Sequence, residues 1–108
     1  MKEFVPVVIL ITTSMNEEAE EIANKLLTQR KAACVNIIPK VRSLFRWQGE
    51  IDSADEAVLV VKSKASLVDE IVSLVKEAHS YQVPEVIALP IIGGNRDYLN
   101  WMSDELGD

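Results

Sequence analysis

Apolar residues fall on consecutive positions from Val5 to Thr12, rich in β-branched side chains, the pattern of a strand covered on both faces or lying at the centre of a sheet. Pro6 is compatible with that strand because it stands at its beginning. The period then changes. Ser14-Met15-Asn16-Glu17 fits a capping box, with Asn16 as an alternative cap, and Glu17 and Glu18 place negative charge at the positive end of a helix dipole. Ala19, Ile22, Ala23, Leu26 and Leu27 follow a helical stripe that Arg30 and Lys31 close with positive charge.

From Ala33 to Trp47 the pattern is extended, with Pro39 in its middle, and Gln48-Gly49 turns the chain into Glu50 and Ile51. The returning strand ends in a second continuous apolar run, Ala57 to Val61. Ser66-Leu67-Val68-Asp69 offers another capping box, and Leu67, Ile71, Leu74, Val75 and Ala78 trace the face of a second helix ending near His79. A fourth strand spans Val86 to Ile92, interrupted by Pro90. Gly93-Gly94-Asn95 breaks it before a terminal helix carrying Tyr98, Leu99, Trp101 and Met102.

This order is strand-helix-strand twice, joined by a hairpin and followed by a helix: an α+β, ferredoxin-like split βαβ arrangement (βαββαβ) in one domain over residues 1–108. That topology centres the first and third strands. Pro39 and Pro90 then fall in the edge strands, where a missing N–H is tolerated. Cys34 to Trp47 would extend about 46 Å against about 26 Å for Val5 to Thr12, at ~3.3 Å per residue. The hairpin must therefore overhang the sheet or bend. Val41, Ser43, Phe45 and Trp47 alternate with Arg42, Leu44 and Arg46, so the overhang exposes large apolar groups unless another chain covers them. An oligomer is expected.

Charge narrows the partners. Eleven Lys+Arg against 17 Asp+Glu give a net charge of −6, so the surface repels phosphate backbones and nucleic acid is not expected as a partner. One Cys and one His exclude an internal disulfide and a four-ligand Cys/His zinc site, and fit a reducing compartment. Phe4 to Ile11 is too short to span a bilayer, which needs about 20 residues, and it lacks a cleavage motif. A cytoplasmic protein without a membrane partner is expected. No phosphate loop of Walker type, H-E-x-x-H or G-x-S-x-G occurs, so no enzymatic activity is expected either.

Four stretches resemble the CutA divalent-cation-tolerance proteins: Arg30 to Pro39 (RKAACVNIIP), Ser43 to Ile51 (SLFRWQGEI), His79 to Val86 (HSYQVPEV) and Tyr98 to Trp101 (YLNW). They cover nearly the whole chain, in order and at the family's spacings. The resemblance implies a homotrimer of ferredoxin-like subunits, similar in architecture to PII signalling proteins, with copper or another divalent cation bound but not required for the fold. The family's His-Pro-Tyr is His79-Ser80-Tyr81 in this chain. Where copper-binding relatives place another Cys at the end of the first strand, this chain has Ile11 and Thr12.

Two residues carry candidate metal chemistry. Cys34 offers a soft thiolate suited to Cu(I) and His79 an imidazole, against the simpler readings of a small buried hydrophobe and a capping His at a helix end. Trp47, Lys62 and Tyr81 are candidates for an inter-subunit pocket, with interface packing as the plainer role of the aromatics and a solvated strand end that of Lys62. Phe45, Trp47 and Trp101 are expected at the trimer interface. Glu50, Asp52, Asp55 and Glu56 offer hard oxygens near one turn but lack a calcium-loop pattern, so a charged hairpin rim is the simpler account. Two functions remain: a copper-binding trimer acting in divalent cation tolerance, or a PII-like adaptor whose clefts take a small effector or protein partner.

Overall fold

The computed structural model describes residues 3–14 and 17–107. Its elements run β1 (Pro6–Thr13), α1 (Glu17–Thr28), β2 (Cys34–Trp47), β3 (Glu50–Lys64), a 3-10 turn (Ala65–Leu67), α2 (Val68–Ala78), β4 (Val86–Pro90) and α3 (Arg96–Glu105). The strands form one antiparallel sheet in the order β2-β3-β1-β4. The two apolar runs are thus the central strands, as the proline positions require. Pro90 ends the edge strand β4, and Pro39 lies within a register shift between Ile38 and Val41 of edge strand β2. Each proline sits where no ladder hydrogen bond is lost.

Helices α1 and α2 cover one face. Val7, Ile9, Ile11 and Thr13 of β1 and Ala57, Leu59, Val61 and Ser63 of β3 are buried against Ala19, Ile22 and Leu26 of α1 and Ile71 and Val75 of α2. The alternate positions form the other face, where the register lines up Ile87, Leu10, Val60 and Asn36 in one row and Leu89, Val8, Lys62 and Cys34 in the next. Most of these side chains are apolar. The expectation of a strand covered on both faces is therefore met on one face within the chain, while Ile87 and Leu89 stay half exposed on the other.

Local signals came out differently in three places. α1 ends at Thr28 rather than near Lys31, because Arg30 takes a left-handed backbone (φ +57°) and the amides of Lys31 and Ala32 turn back onto the Leu26 carbonyl at 2.9 and 3.2 Å. Freed from α1, the Arg30 guanidinium caps another helix. It donates to the carbonyls of Asp104 (2.9 Å) and Glu105 (3.0 Å) at the end of α3. Ser66 does not cap α2, since the 3-10 turn takes up the start and leaves Leu67 at the cap position without a side-chain bond. Of the α1 start signal, Met15 and Asn16 lie outside the described residues; the Ser14 amide donates to Glu18 Oε1 at 3.3 Å. Leu27, counted in the α1 stripe, lies on the exposed side.

The β2–β3 hairpin reaches Trp47↔Glu50 around Gln48 (φ +50°) and Gly49 (φ +84°). Two successive positive φ values make a two-residue turn whose twist matches the strands. Strands of 14 and 15 residues overhang the eight of β1, and the described chain extends 47 Å along its long axis. On the overhang Leu44, Phe45, Trp47 and Ile51 are all exposed.

Candidate functional site

Cross-strand partners share a sheet face, so the register places Ser43 with Ala54, Phe45 with Asp52 and Val41 with Glu56 on one side of the hairpin. The segment between α2 and β4 faces that side. Tyr81, Gln82, Val83 and Glu85 form the opposing wall, Trp47 and Thr12 complete the lining, and the cleft between them encloses about 700 Å³. This volume lies in the range of small-molecule sites, roughly 300 to 1,000 Å³. Among the described residues no Lys or Arg lines it.

The wall is fastened through His79. Its side chain is fully buried, with Nε2 at 2.6 Å from the Thr12 carbonyl and Nδ1 accepting the Tyr81 amide at 3.0 Å. An acceptor at Nδ1 and a carbonyl at Nε2 define the neutral tautomer that carries its proton on Nε2. Glu18 stands beside the ring, Oε1 lying 3.3 Å from Nδ1, and accepts the Ser80 amide at 3.3 Å. Burial pushes the Glu18 carboxyl upward, but the hydrogen bonds from Ser80 and Ser14 outweigh it and hold the group below its ordinary 4.5. Tyr81 stacks at 4.5 Å from the His79 ring. Its phenol is pushed up to about 12 by burial first, then by its hydrogen bond to Glu56 and the charges of Glu56 and Glu18.

Cys34 sits elsewhere. It pairs with Lys62 on β3, whereas Thr12, the partner of His79, pairs with Val58 four residues along and one strand further over. That register puts Cys34 roughly 16 Å from the Thr12 backbone that holds His79, from about 3.3 Å per residue and about 4.8 Å per strand. Cys34 is half-buried beside the Tyr98 hydroxyl; burial first, then Cys34, raises the Tyr98 phenol. Lys62 donates to Asn36 Oδ1 and is not part of the cleft, unlike Trp47 and Tyr81. Trp101 stacks on Tyr98 at 5.4 Å and remains half exposed. Among the described residues no three His, Cys, Asp or Glu side chains converge as a metal site would need. On the hairpin rim Asp55 pairs with Lys40 at 3.8 Å, while Glu56 is 6% exposed and belongs to the cleft.

Sequence reading did not find Glu18, Thr12 or Glu85. Thr12 acts through its backbone carbonyl, which leaves no mark on residue identity. For Glu56 there was a signal: a carboxylate directly before the apolar run Ala57 to Val61, on a strand entering the core.

A helix-backed four-stranded antiparallel sheet with one overlong hairpin, an uncovered apolar face and a cleft under the overhang defines the class: a ferredoxin-like domain elaborated by its β2–β3 ribbon. The chain belongs to the family described as CutA1 divalent ion tolerance protein, whose model matches residues 7–105. The divalent-cation tolerance protein CutA of Thermus thermophilus is 45% identical over 93% of this chain and 97% of its own length. A solved structure of the Thermus thermophilus protein superposes with a TM-score of 0.93, covering 94% of this chain and 99% of that one. The CutA1 structure from Oryza sativa gives 0.93 at 39% identity, covering 97% of each chain. The chloroplastic CutA 1 sequence of Oryza sativa is 42% identical over 93% of this chain, which spans 57% of that longer protein. Membership in this family supports a role in divalent cation tolerance.

Proposed function

We propose that the protein works as a homotrimer that binds copper or another divalent cation in support of divalent cation tolerance. The observation that carries the assembly is the uncovered sheet face. Leu10, Val60, Ile87 and Leu89 line it, and the apolar hairpin extends the same need for cover beyond the sheet. Two edge strands with apolar side chains are natural seams between copies.

Metal would enter through Cys34, an unoxidised thiol at the start of an edge strand, and would displace the Tyr98 hydroxyl as its partner. His79 contributes only by giving up the Thr12 carbonyl or the Tyr81 amide, since both nitrogens are committed. Cys34 and His79 therefore act as one site only across subunits. The test has two parts. Sedimentation of the purified protein should give three times the 12.0 kDa chain mass. Copper titration of wild type, Cys34→Ser and His79→Ala, each checked for mass, should lose affinity chiefly in Cys34→Ser. Equal affinity in all three removes both residues from the site, and a monomer at micromolar concentration overturns the assembly.

A second reading, a PII-like trimer that takes a small effector, is favoured by one observation: the cleft of about 700 Å³ beneath the hairpin.

A further inference from the structure

Glu56 is the most unusual charged side chain in the fold. It is 6% exposed, yet makes no ion pair among the described residues, whereas four other acidic side chains do, each with Lys or His. The Tyr81 phenol stands beside it, and the Glu56 charge helps keep that phenol protonated. A buried carboxylate without a counterion is costly, and a cation that enters from outside removes the cost. Glu56 lines the cleft. Asp52 and Glu85 line it too, as do the side chains of Phe45, Trp47 and Tyr81, and among the described residues no basic side chain lines it. Three aromatic faces favour a cation over an anion by their quadrupoles.

The three carboxylates do not converge as ligands of a single ion, since no metal-binding cluster forms among the described residues. Charges spread along an apolar cleft match an elongated organic cation better than a compact one. We propose that this cleft binds an aliphatic di- or polyamine, with one ammonium on Glu56, another on Asp52 or Glu85 at the rim, and the methylene chain between Phe45, Trp47 and Tyr81. The inference rests on the effector-cleft reading and names its ligand class. It shares no residue with the Cys34 and His79 metal reading.

The probe is 1,5-diaminopentane, compared with the neutral pentane-1,5-diol and with ATP as an anionic effector, on the intact oligomer by calorimetry. Fluorescence of Trp47 in a Trp101→Phe background reports whether binding occurs in the cleft. The diamine should bind saturably once per chain and perturb Trp47, weaken as NaCl rises from about 50 to about 500 mM, and lose roughly tenfold or more in affinity in Glu56→Gln. Glu56→Gln keeps the shape and a hydrogen-bonding partner for Tyr81; Glu85→Gln, at an exposed position, supplies a second variant with little risk to folding. Diol binding as tight as the diamine, or diamine binding unchanged in both variants, overturns the cation assignment. ATP perturbing Trp47 where the diamine does not would preserve the effector cleft and overturn its charge preference. No response to any probe overturns both, and a changed oligomer mass in Glu56→Gln without diamine binding assigns the cleft to a neighbouring copy instead.

Discussion

His79 holds the cleft wall by spending both ring nitrogens on backbone, one on the Thr12 carbonyl and one on the Tyr81 amide. His79→Ala would leave these part-buried groups without their protein partner. The expected loss is about 1–3 kcal/mol, read from the urea midpoint. Glu18 adds a pH dependence of definite sign. Its folded-state carboxyl titrates below 4.5, so it contributes stability that is fully present above 4.5 and lost as pH falls through the folded value. The stability difference between wild type and Glu18→Gln should therefore be larger near about pH 7 than near about pH 3; an equal difference at both would show that the carboxylate is not stabilised by the fold. The two tyrosines provide a spectroscopic check, since burial and the carboxylates raise Tyr81 to about 12 and burial with Cys34 raises Tyr98. Tyrosinate absorbance at alkaline pH should show neither phenol ionising at the ordinary 10.0, with Tyr81→Phe abolishing the step near about 12. At this scale the sequence pointed to His79 and Tyr81 through their motif, but the atoms they bind are main-chain groups, invisible in residue identity.

The hairpin is the element that sets this fold apart from a minimal split βαβ. Its register, two-residue turn and exposed Phe45 and Trp47 leave a stiff ribbon with an apolar side. Phe45→Asp and Trp47→Asp place a charge on that side. Both should fold with unchanged far-UV circular dichroism and sediment as smaller species, because an uncompensated carboxylate at an interface costs several kcal/mol, about 3–5 where it is fully buried. Intact assemblies in both variants would exclude the ribbon from the interface. The lengths of β1 and β2, the Gln48-Gly49 turn and the edge positions of Pro39 and Pro90 could be read from the sequence, because each depends on local steric rules or on counting residues, whereas β4, expected to reach Ile92, stops at Pro90. Helix ends could not. Arg30 looked like the last-turn cation of α1, yet it leaves that helix in a left-handed conformation and caps α3, more than 70 residues away in sequence, a choice that only the packing of the two helix ends makes.

For the whole molecule, the governing fact is a sheet with apolar residues on both faces and the helices α1 and α2 packed on one. Ile87, half exposed on edge strand β4 and aligned with Leu10 and Val60, probes the uncovered face with little effect on a single chain. Ile87→Lys should shift the sedimenting mass downward while leaving the single-chain fold intact; an unchanged mass would place the subunit contacts elsewhere. By itself the sequence determined the element order, the central and edge strands and the overhanging ribbon, since these follow from hydrophobic period, chain length and proline sterics. The tertiary structure alone decided that Cys34 and His79 lie apart within the chain, that Lys62 turns to Asn36 rather than to the cleft, and that Glu56 is buried without a counterion among the described residues. The physical reason is one of range. Period and propensity act between residues a few positions apart, whereas a site is set by the register between strands and by the angle at which a loop meets a ribbon, and a shift of one residue in either would turn a different side chain toward the cleft.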